Sequence, residues 1–384
     1  MVFESQSLAA QGCRLDWVRE RSERMVGEDA PDSSLEAVGK YGNCSNRDLL
    51  PGTMIKNLAR KLLLSSRALR LAARFRSKRA AILMYHSVMD DPRQVADSLG
   101  GIVHSTEVFQ GQMELLARQF RPVDLDRLAS FVKGEQDLPE HAVAITFDDG
   151  YRDNYELAMP ILNRFGIPAA FYVTVDSIER RKLPWPSRLR FSFRTTSEKE
   201  FRDESGHRWS LGSPEQRERA YLGVCDQVCK LAGAALENRV AQMEQALEAQ
   251  LSSDSGRLMM TWEQVKQLAQ HGHIVGSHTM THPNLAFLAL EQMRSELRES
   301  KQRMEAHVNA PVQHFSYPCP ALFPNWTEQT VEESRRVGYQ TAVTTSTGLT
   351  RPNDNPLGLK RVRPTKTVEG LEWTLESAFA GRAL

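Results

Sequence analysis

Short apolar segments recur along the chain after residue 80, and helical patterns separate several of them. Segments that are this short and rich in β-branched and aromatic residues are typical of buried strands. Strand followed by helix, repeated about seven times, predicts a parallel sheet covered by helices, and residues 81–384 exceed the roughly 200–250 residues of a closed barrel. The candidate strands are 81-AILMY-85, 142-AVAITF-147, 168-PAAFYVT-174, 273-HIVGS-277, 313-QHFSY-317, 340-QTAVTT-345 and 359-LKRVR-363.

Helix boundary signals accompany this alternation. Thr261 and Gln264 form the sequence pattern of a capping box at the start of a helix, and Gly272 gives the stop signal at its end. Residues 290–306 and 327–338 show further helical patterns. We therefore expect an α/β protein whose helices follow its strands.

Residues 178–257 interrupt the alternation and predict an inserted helical subdomain or lid, with 214–251 mostly one long helix. Cys225 and Cys229 lie four positions apart in this segment, a spacing found in metal sites. No histidine or acid is arranged nearby to complete such a site, so we interpret both as buried small apolar side chains.

The amino-terminal part divides at residue 53. Residues 1–53 are polar without a sustained period, and we expect a disordered leader or upstream sequence, with Met54 as an alternative start. Residues 54–80 carry nine Lys or Arg and no acid, with leucines at helical spacing. This pattern predicts a basic amphipathic helix, which either lies on an anionic membrane surface or packs on the domain as a solvated leader helix.

Composition narrows the class of protein. The net charge of +1 argues against a general nucleic-acid binder, and the five cysteines are scattered without a CxxC pair, which indicates reduced thiols. Neither a secretory signal nor a run of about 18 apolar residues is visible in the sequence. We expect a soluble cytoplasmic protein, with peripheral contact at the inner face of the cell membrane if the basic helix binds lipid.

Two adjacent carboxylates end one candidate strand. In 142-AVAITFDDGYRDN-154, Asp148 and Asp149 follow a run that looks buried, where two neighbouring charges repel and need a reason. Asp90 and Asp91 form a second acidic pair, but in a proline-containing loop, where solvated turn chemistry is a sufficient explanation. The first pair is therefore the candidate for chemistry.

Histidines follow two other candidate strands. His278 and His282 lie four apart, one helical turn, which would bring both imidazoles to one side, and His86 ends the first strand. The carboxyl ends of parallel barrel strands open on one face, so these groups should converge with Asp148 and Asp149. Two histidines and one carboxylate make a three-ligand site with an open position for water, as in hydrolytic zinc centres, and leave the other carboxylate as a base.

The motifs TFDDGY and SHTMTHP, in this order, resemble those of the polysaccharide deacetylase family, also known as NodB-homology or carbohydrate esterase family 4 proteins. The resemblance covers roughly residues 80–365 without the insert. It implies that Asp149, His278 and His282 hold the metal and that Asp148 is the general base. It also implies a distorted (β/α)7 barrel, in agreement with the seven candidate strands.

The resemblance further implies the reaction. A divalent metal ion, zinc by preference, would assist hydrolysis of an N-acetyl group from an amino sugar in a poly- or oligosaccharide, in envelope or exopolysaccharide biosynthesis. Three alternatives stay open: a metal-dependent amidase for a small non-sugar amide, a glycoside hydrolase using two carboxylates, and a non-catalytic carbohydrate-binding protein on the same fold.

Two departures from the family pattern affect the site. The third motif, usually R-x-P-(Y/F), is here Ser316 to Cys319, so the arginine that tethers the base is missing. The backbone N–H of Cys319 could still bind the oxyanion, since that role needs no side chain. We hypothesise that Arg361, at the end of another strand, replaces the missing tether.

The second departure concerns the general acid. The usual Leu-x-His motif is absent, because no histidine follows residue 314. A branch of the family that deacetylates poly-N-acetylglucosamine carries this histidine near the start, as in MYHSV here, so His86 becomes the candidate acid, with a core histidine as the alternative. Tyr151 and Tyr317, next to motif residues, are candidates for substrate binding or for packing.

Overall fold

Seven parallel strands form a barrel in the described part of the chain. The computed structural model describes residues 59–66, 68–76, 78–249 and 257–384. Each strand pairs with the next along the chain, and a short parallel bridge from Leu83 to Val362 brings the first and last strands together. The expected distorted (β/α)7 barrel is confirmed. Its strands are β1 (Ala80–Tyr85), β2 (Ala142–Phe147), β3 (Ala169–Val173), β4 (Ile274–Ser277), β5 (His314–Ser316), β6 (Thr341–Thr347) and β7 (Leu359–Arg361).

Helices lie before, between and after the strands. They are α1 (Ala68–Arg74), α2 (Thr106–Gln119), α3 (Leu125–Val132), α4 (Met159–Arg164), α5 (Val175–Glu179), α6 (Trp185–Thr195), α7 (Pro214–Val228), α8 (Gly233–Ala246), α9 (Trp262–Gln270), α10 (Leu290–Val308), α11 (Glu328–Val337) and α12 (Val368–Phe379). Short strands lie outside the seven-strand ring, at Ser87–Met89, Val103–Ser105, Arg121–Pro122, Glu200–Arg202 and Arg208–Ser210.

Side chains fill the amino-terminal end of the barrel. Every residue of β1, β2 and β3 is buried, because these strands pack on both faces. Side chains of α3 join the cluster inside the barrel, and its Asp126 lies 3.0 Å from His314, the first residue of β5. Helix α3 therefore closes the amino-terminal end, which leaves the carboxyl-terminal end for a site.

In the predicted insert, the described residues 178–249 contain the helices α6, α7 and α8, rather than one long helix over 214–251. Helix α7 ends at Val228, and Gly233, with φ of +57°, adopts the left-handed conformation that favours glycine where the chain enters α8. The insert also contains a small antiparallel hairpin, Glu200–Arg202 with Arg208–Ser210. It has its own apolar cluster, in which Cys225 and Cys229 are buried, as the sequence indicated.

The basic segment is helical over a shorter length than the expected 54–80. Residues 59–65 and α1 are helical, and the chain then passes into β1 at Ala80. Residues 1–53 and 54–58 lie outside the described residues. Arg70 of α1 donates to Glu376 of α12 at 2.7 Å, so α1 packs on the barrel. Among the described helices, none combines the length and apolarity that crossing a bilayer requires.

Candidate metal and catalytic site

The turn after β2 sends the two adjacent carboxylates in different directions. Asp149 has φ of +76° and Gly150 has φ of +89°, so the chain reverses abruptly after Asp148. The Asp148 N–H donates to Tyr85 O at 3.1 Å, and Thr174 N–H donates to Asp149 O at 3.4 Å. These bonds fix the turn between the ends of β1 and β3, and a left-handed conformation at a non-glycine residue is typical of functional sites.

The two histidines of the second motif lie in a loop after β4, not on a helical turn. Thr279 and His282 both have positive φ, at +70° and +61°. The His278 and His282 rings nonetheless come together, with centroids 4.9 Å apart and planes at 74°. The expectation that both imidazoles reach one side holds, but two left-handed residues produce it.

Asp149, His278 and His282 form a cluster that is suited to a metal ion. Asp149 Oδ1 lies 3.5 Å from His278 Nε2 and 3.3 Å from His282 Nε2. Ligand atoms 2.0–2.1 Å from a tetrahedral zinc ion are about 3.3–3.4 Å apart, which fits these separations. Asp149 Oδ1 is buried and makes no hydrogen bond in the described part of the chain. A cation would satisfy this oxygen, so the residues present fit the expected group.

Neighbouring groups favour the tautomer and the ionised form that metal ligands need. His278 Nδ1 lies 2.7 Å from Ser316 O, and a proton on Nδ1 leaves the Nε2 lone pair directed at Asp149. Burial alone would raise the pKa of Asp149, but the adjacent His278 and His282 side chains outweigh burial and hold the pKa well below its ordinary value. Asp149 is therefore an ionised ligand candidate.

Asp148 belongs to a different part of the site. Arg361 Nη1 donates to Asp148 Oδ1 at 2.8 Å, and Nη2 donates to Oδ2 at 2.7 Å. The two side chains form a buried bidentate pair at the carboxyl-terminal end of the barrel. Burial is the largest single effect and would raise the pKa of Asp148, but the charge and hydrogen bonds of Arg361, together with the effect of His278, lower the pKa overall. Arg361 Nη2 also donates to Ser316 Oγ at 3.2 Å, so the guanidinium lies beside the residue that replaces the motif arginine.

His86 also lies beside Asp148. Its Nε2 is 3.9 Å from Asp148 Oδ2, and its side chain is 20% exposed. Burial lowers the pKa of His86, although the charges of Asp149 and Asp148 act in the other direction. The structure thus brings His86 next to the candidate base, with access to solvent.

Of the remaining predicted site residues, Cys319 is partly exposed, whereas Tyr151 and Tyr317 are buried. Cys319 is half-buried just beyond β5, and its N–H has no hydrogen-bond acceptor among the described residues. Tyr317 is wrong as a substrate-binding residue, because it is fully buried and its hydroxyl donates to Leu357 O at 3.0 Å. Tyr151 is also buried, with its hydroxyl 3.4 Å from Ser187 Oγ, so it offers no ring surface to a sugar.

Sequence reasoning missed Glu296, which holds the histidine loop. This buried carboxylate of α10 accepts hydrogen bonds from Met280 N–H at 2.9 Å, Thr281 N–H at 3.0 Å and the Thr281 hydroxyl. The helical periodicity of the sequence could have identified this residue. Glu296 falls on the same helical face as the buried Met293 and Ser300, where an acid needs partners.

A comparison with known protein families gives the same assignment as the fold and the site. A model of the polysaccharide deacetylase family matches residues 135–342, just over half of the chain. The chain belongs to the polysaccharide deacetylase family, as its motifs indicated.

Individual relatives extend this result. YxkH of Bacillus subtilis is 24% identical over 290 residues, which cover 75% of this chain and 72% of YxkH. Poly-β-1,6-N-acetyl-D-glucosamine N-deacetylase of Escherichia coli is 32% identical over 89 residues, which cover 23% of this chain and 13% of that protein. These relatives include the branch that the position of His86 suggested.

Two solved structures share the fold. The deacetylase PplD of Streptococcus pyogenes has a TM-score of 0.52 and 18% identity, covering 78% of this chain and 99% of that chain. IcaB from Ammonifex degensii has a TM-score of 0.50 and 19% identity, covering 79% and 99%.

Proposed function

We propose that this protein is a metal-dependent deacetylase that hydrolyses N-acetyl groups from an amino sugar in a poly- or oligosaccharide. One observation carries the proposal: the two adjacent acids have separate partners. Asp149 lies with His278 and His282, whereas Asp148 is bound by Arg361 and faces His86. A binding protein would have no use for this division, whereas a hydrolase needs both a ligand and a base.

Asp149, His278 and His282 would hold the divalent ion. Two imidazole nitrogens and one carboxylate oxygen match the donor set of catalytic zinc sites, which is our reason for preferring zinc. When bound, the ion supplies a Lewis acid that polarises the acetyl carbonyl and activates water.

The other residues would move protons and bind charge. Asp148, ionised and oriented by Arg361, takes a proton from the water that adds to the acetyl carbon. The Cys319 N–H donates to the oxygen that becomes negative in the tetrahedral intermediate. Protonated His86 gives its proton to the sugar nitrogen as the C–N bond breaks, which releases acetate and a free amine.

The relatives support a class of polymer by analogy. Part of the chain is similar to an enzyme whose name gives poly-β-1,6-N-acetyl-D-glucosamine as substrate, and the matched region is short. We therefore propose an N-acetylglucosamine-containing saccharide made for the cell envelope or for export as the substrate class, rather than one defined polymer.

The experiment is acetate release from N-acetylglucosamine oligomers by wild type and Asp148→Asn, with a panel of small non-sugar amides alongside. We expect Asp148→Asn to lose about 10²–10⁴ in turnover, the range for a lost proton-transfer group. Asp90→Asn, at an exposed acid that also has an acidic neighbour, is the matched control and should turn over normally. Equal activity of wild type and Asp148→Asn would exclude the proposal, and hydrolysis of the small amides alone would favour the amidase.

We further propose that the basic segment contacts an anionic membrane surface at the cytoplasmic face. Phe75 is 84% exposed and Leu71 is 59% exposed, four positions apart along the same segment. Arg74 and Lys78 lie next to them, although each also pairs with an acid of the barrel. Exposed apolar side chains flanked by cations are the features by which an interfacial segment binds anionic lipid.

A further inference from the structure

The ring of His86 is not held by its own hydrogen bonds. Within the described residues, neither ring nitrogen forms one, and the ring's ion-pair contact with Asp148 Oδ2 is long, at 3.9 Å. A general acid must nevertheless be held in one place, because a displacement of about 1 Å can cost 10²-fold in rate. The backbone around His86 must therefore supply the order that the ring lacks.

Asn154 holds the His86 residue directly. Its Nδ2 donates to His86 O at 2.6 Å and to Asp153 Oδ1 at 2.8 Å. Asn154 is fully buried, so these bonds do not compete with water.

Asp153 holds the next two residues. Its Oδ2 accepts from the Ser87 hydroxyl at 2.5 Å, and its Oδ1 accepts from the Val88 N–H at 3.1 Å. Ser87 and Val88 are fully buried. Three consecutive residues, from His86 to Val88, are thus bound by one adjacent pair, which we name the Asp153–Asn154 clamp.

The local backbone explains how one pair reaches three residues. The chain forms a π-helical turn over Asn154–Ala158 before continuing as α4. Such turns are rare, and they occur often at functional sites. On the other side, Ser87–Met89 pairs in parallel with Val103–Ser105, so the segment after His86 is fixed from two directions.

We propose that Asp153 and Asn154 are positioning residues for His86, an inference that rests on the proposed role of His86 as general acid. They act through the backbone of residues 86–88 and do not touch the reacting atoms. The stretch from Asp148 to Asn154 would then set the base, one metal ligand and the place of the acid within a single turn and the start of one helix.

The kinetic test uses Asn154→Ala and the isosteric Asp153→Asn in the full chain. We expect kcat to fall about 10–100-fold with little change in KM, because the acid is displaced while substrate contacts remain. Asn163→Ala is the matched control: Asn163 is on the same helix and accepts a hydrogen bond from His273 at 3.1 Å, at the other end of the barrel. It should keep wild-type kcat.

A double-mutant cycle separates positioning from general damage. If the clamp acts only through His86, Asn154→Ala should cost less than about twofold in a His86→Ala background, since effects of coupled residues do not add. A full additional loss in that background would overturn the proposal. Ser87→Ala removes one bond of the clamp without emptying a buried site, and should give a smaller loss of the same kind if Asn154→Ala fails to fold.

A readout without activity keeps this inference distinct from the proposed function. In histidine-labelled protein, the NMR ring signals of His86 should shift or broaden in Asn154→Ala and stay unchanged in Asn163→Ala. Unchanged His86 signals in Asn154→Ala would refute the clamp even in an active enzyme. Shifted signals in a protein that releases no acetate would support the clamp and refute only the proposed function.

Discussion

Asp148 and Asp149 are adjacent in sequence, but their carboxylates have different partners. In an extended strand, successive side chains already face opposite sides. Here Asp149 additionally adopts φ of +76°, and each carboxylate finds its own positive partners, Arg361 for Asp148 and the two imidazoles for Asp149. Repulsion between the neighbours is thereby offset on both sides.

Arg361 gives the sharpest test at the residue scale. Arg361→Lys should lower kcat about 10²-fold or more, because a lysine is a point charge that cannot orient both oxygens of Asp148. Metal content should be unchanged, since Arg361 contacts none of the three candidate ligands. The measurement is acetate release together with metal analysis of the same preparation.

Arg294→Ala is the matched control for this variant. Arg294 makes a comparable two-point pair with Glu333, at 2.9 and 3.1 Å, between α10 and α11. Its loss should leave turnover near normal. Normal turnover in Arg361→Lys as well would mean that Asp148 needs no tether.

The sequence predicted which residues lie at strand ends, but it did not predict which way each side chain faces. Arg361 was predicted from its strand-end position, and the structure does bring it to Asp148. Tyr317 failed because it directly follows Ser316, and neighbours in a strand face opposite sides. Ser316 contacts Arg361, so Tyr317 faces the helices, where its hydroxyl lies 3.3 Å from Ser334 Oγ of α11.

At the scale of elements, helix α10 stabilises the loop that carries the histidines. Burial raises the pKa of Glu296 from 4.5 to about 7, despite hydrogen bonds from Thr281 and Met280. A carboxyl whose pKa is raised by folding stabilises the fold while protonated, and this contribution is lost as pH rises from the unfolded to the folded value. Glu296 therefore favours the fold less at pH 8 than at pH 4.5.

Glu296→Gln tests this sign. Glutamine is neutral at every pH, so the melting temperature of the variant relative to wild type should rise between pH 4.5 and about 7 and then stay level. Glu296→Ala should destabilise at all pH values, at about 1–3 kcal/mol for each buried N–H left unpaired. Thermal unfolding across this range is the measurement, and a constant difference between Glu296→Gln and wild type would contradict the assignment.

Element boundaries were predictable where local chemistry fixes them. The capping box at Thr261 and Gln264 is present, and α9 ends just before Gly272, whose φ is +83°. The hairpin of the insert was missed because its strands are three residues long and mostly exposed, which leaves no apolar pattern. The break between α7 and α8 was missed because apolar residues continue through it.

At the scale of the whole molecule, the sequence predicted the barrel because seven apolar strands and their order are local properties. The relation of the insert to the site is not local. Trp185 of α6 donates its indole N–H to His282 O at 2.9 Å, and Gly233 N–H donates to Thr281 Oγ1 at 3.2 Å. The insert thus contacts the histidine loop at a backbone oxygen and at a hydroxyl, a contact between distant segments that periodicity cannot reveal.

The exposed basic segment gives a prediction at the same scale. Leu71→Ser with Phe75→Ser should remove most binding to vesicles of anionic lipid, because the apolar anchors are lost while the cations remain. Wild-type binding should weaken with salt and be absent on neutral vesicles. Co-sedimentation is the measurement, and Phe323→Ser, at a residue 63% exposed elsewhere on the surface, is the control. Equal co-sedimentation of the double variant and wild type would exclude this surface.

The most direct test of the account is zinc titration of chelator-treated protein, with acetate release measured at each step. We expect wild type to bind one equivalent and to regain activity with it, and His278→Ala and Asp149→Asn to lose both. Asp148→Asn should bind zinc as wild type does and remain inactive. A wild-type protein that is fully active without metal, or an Asp149→Asn variant that keeps both zinc and turnover, would contradict the central claim.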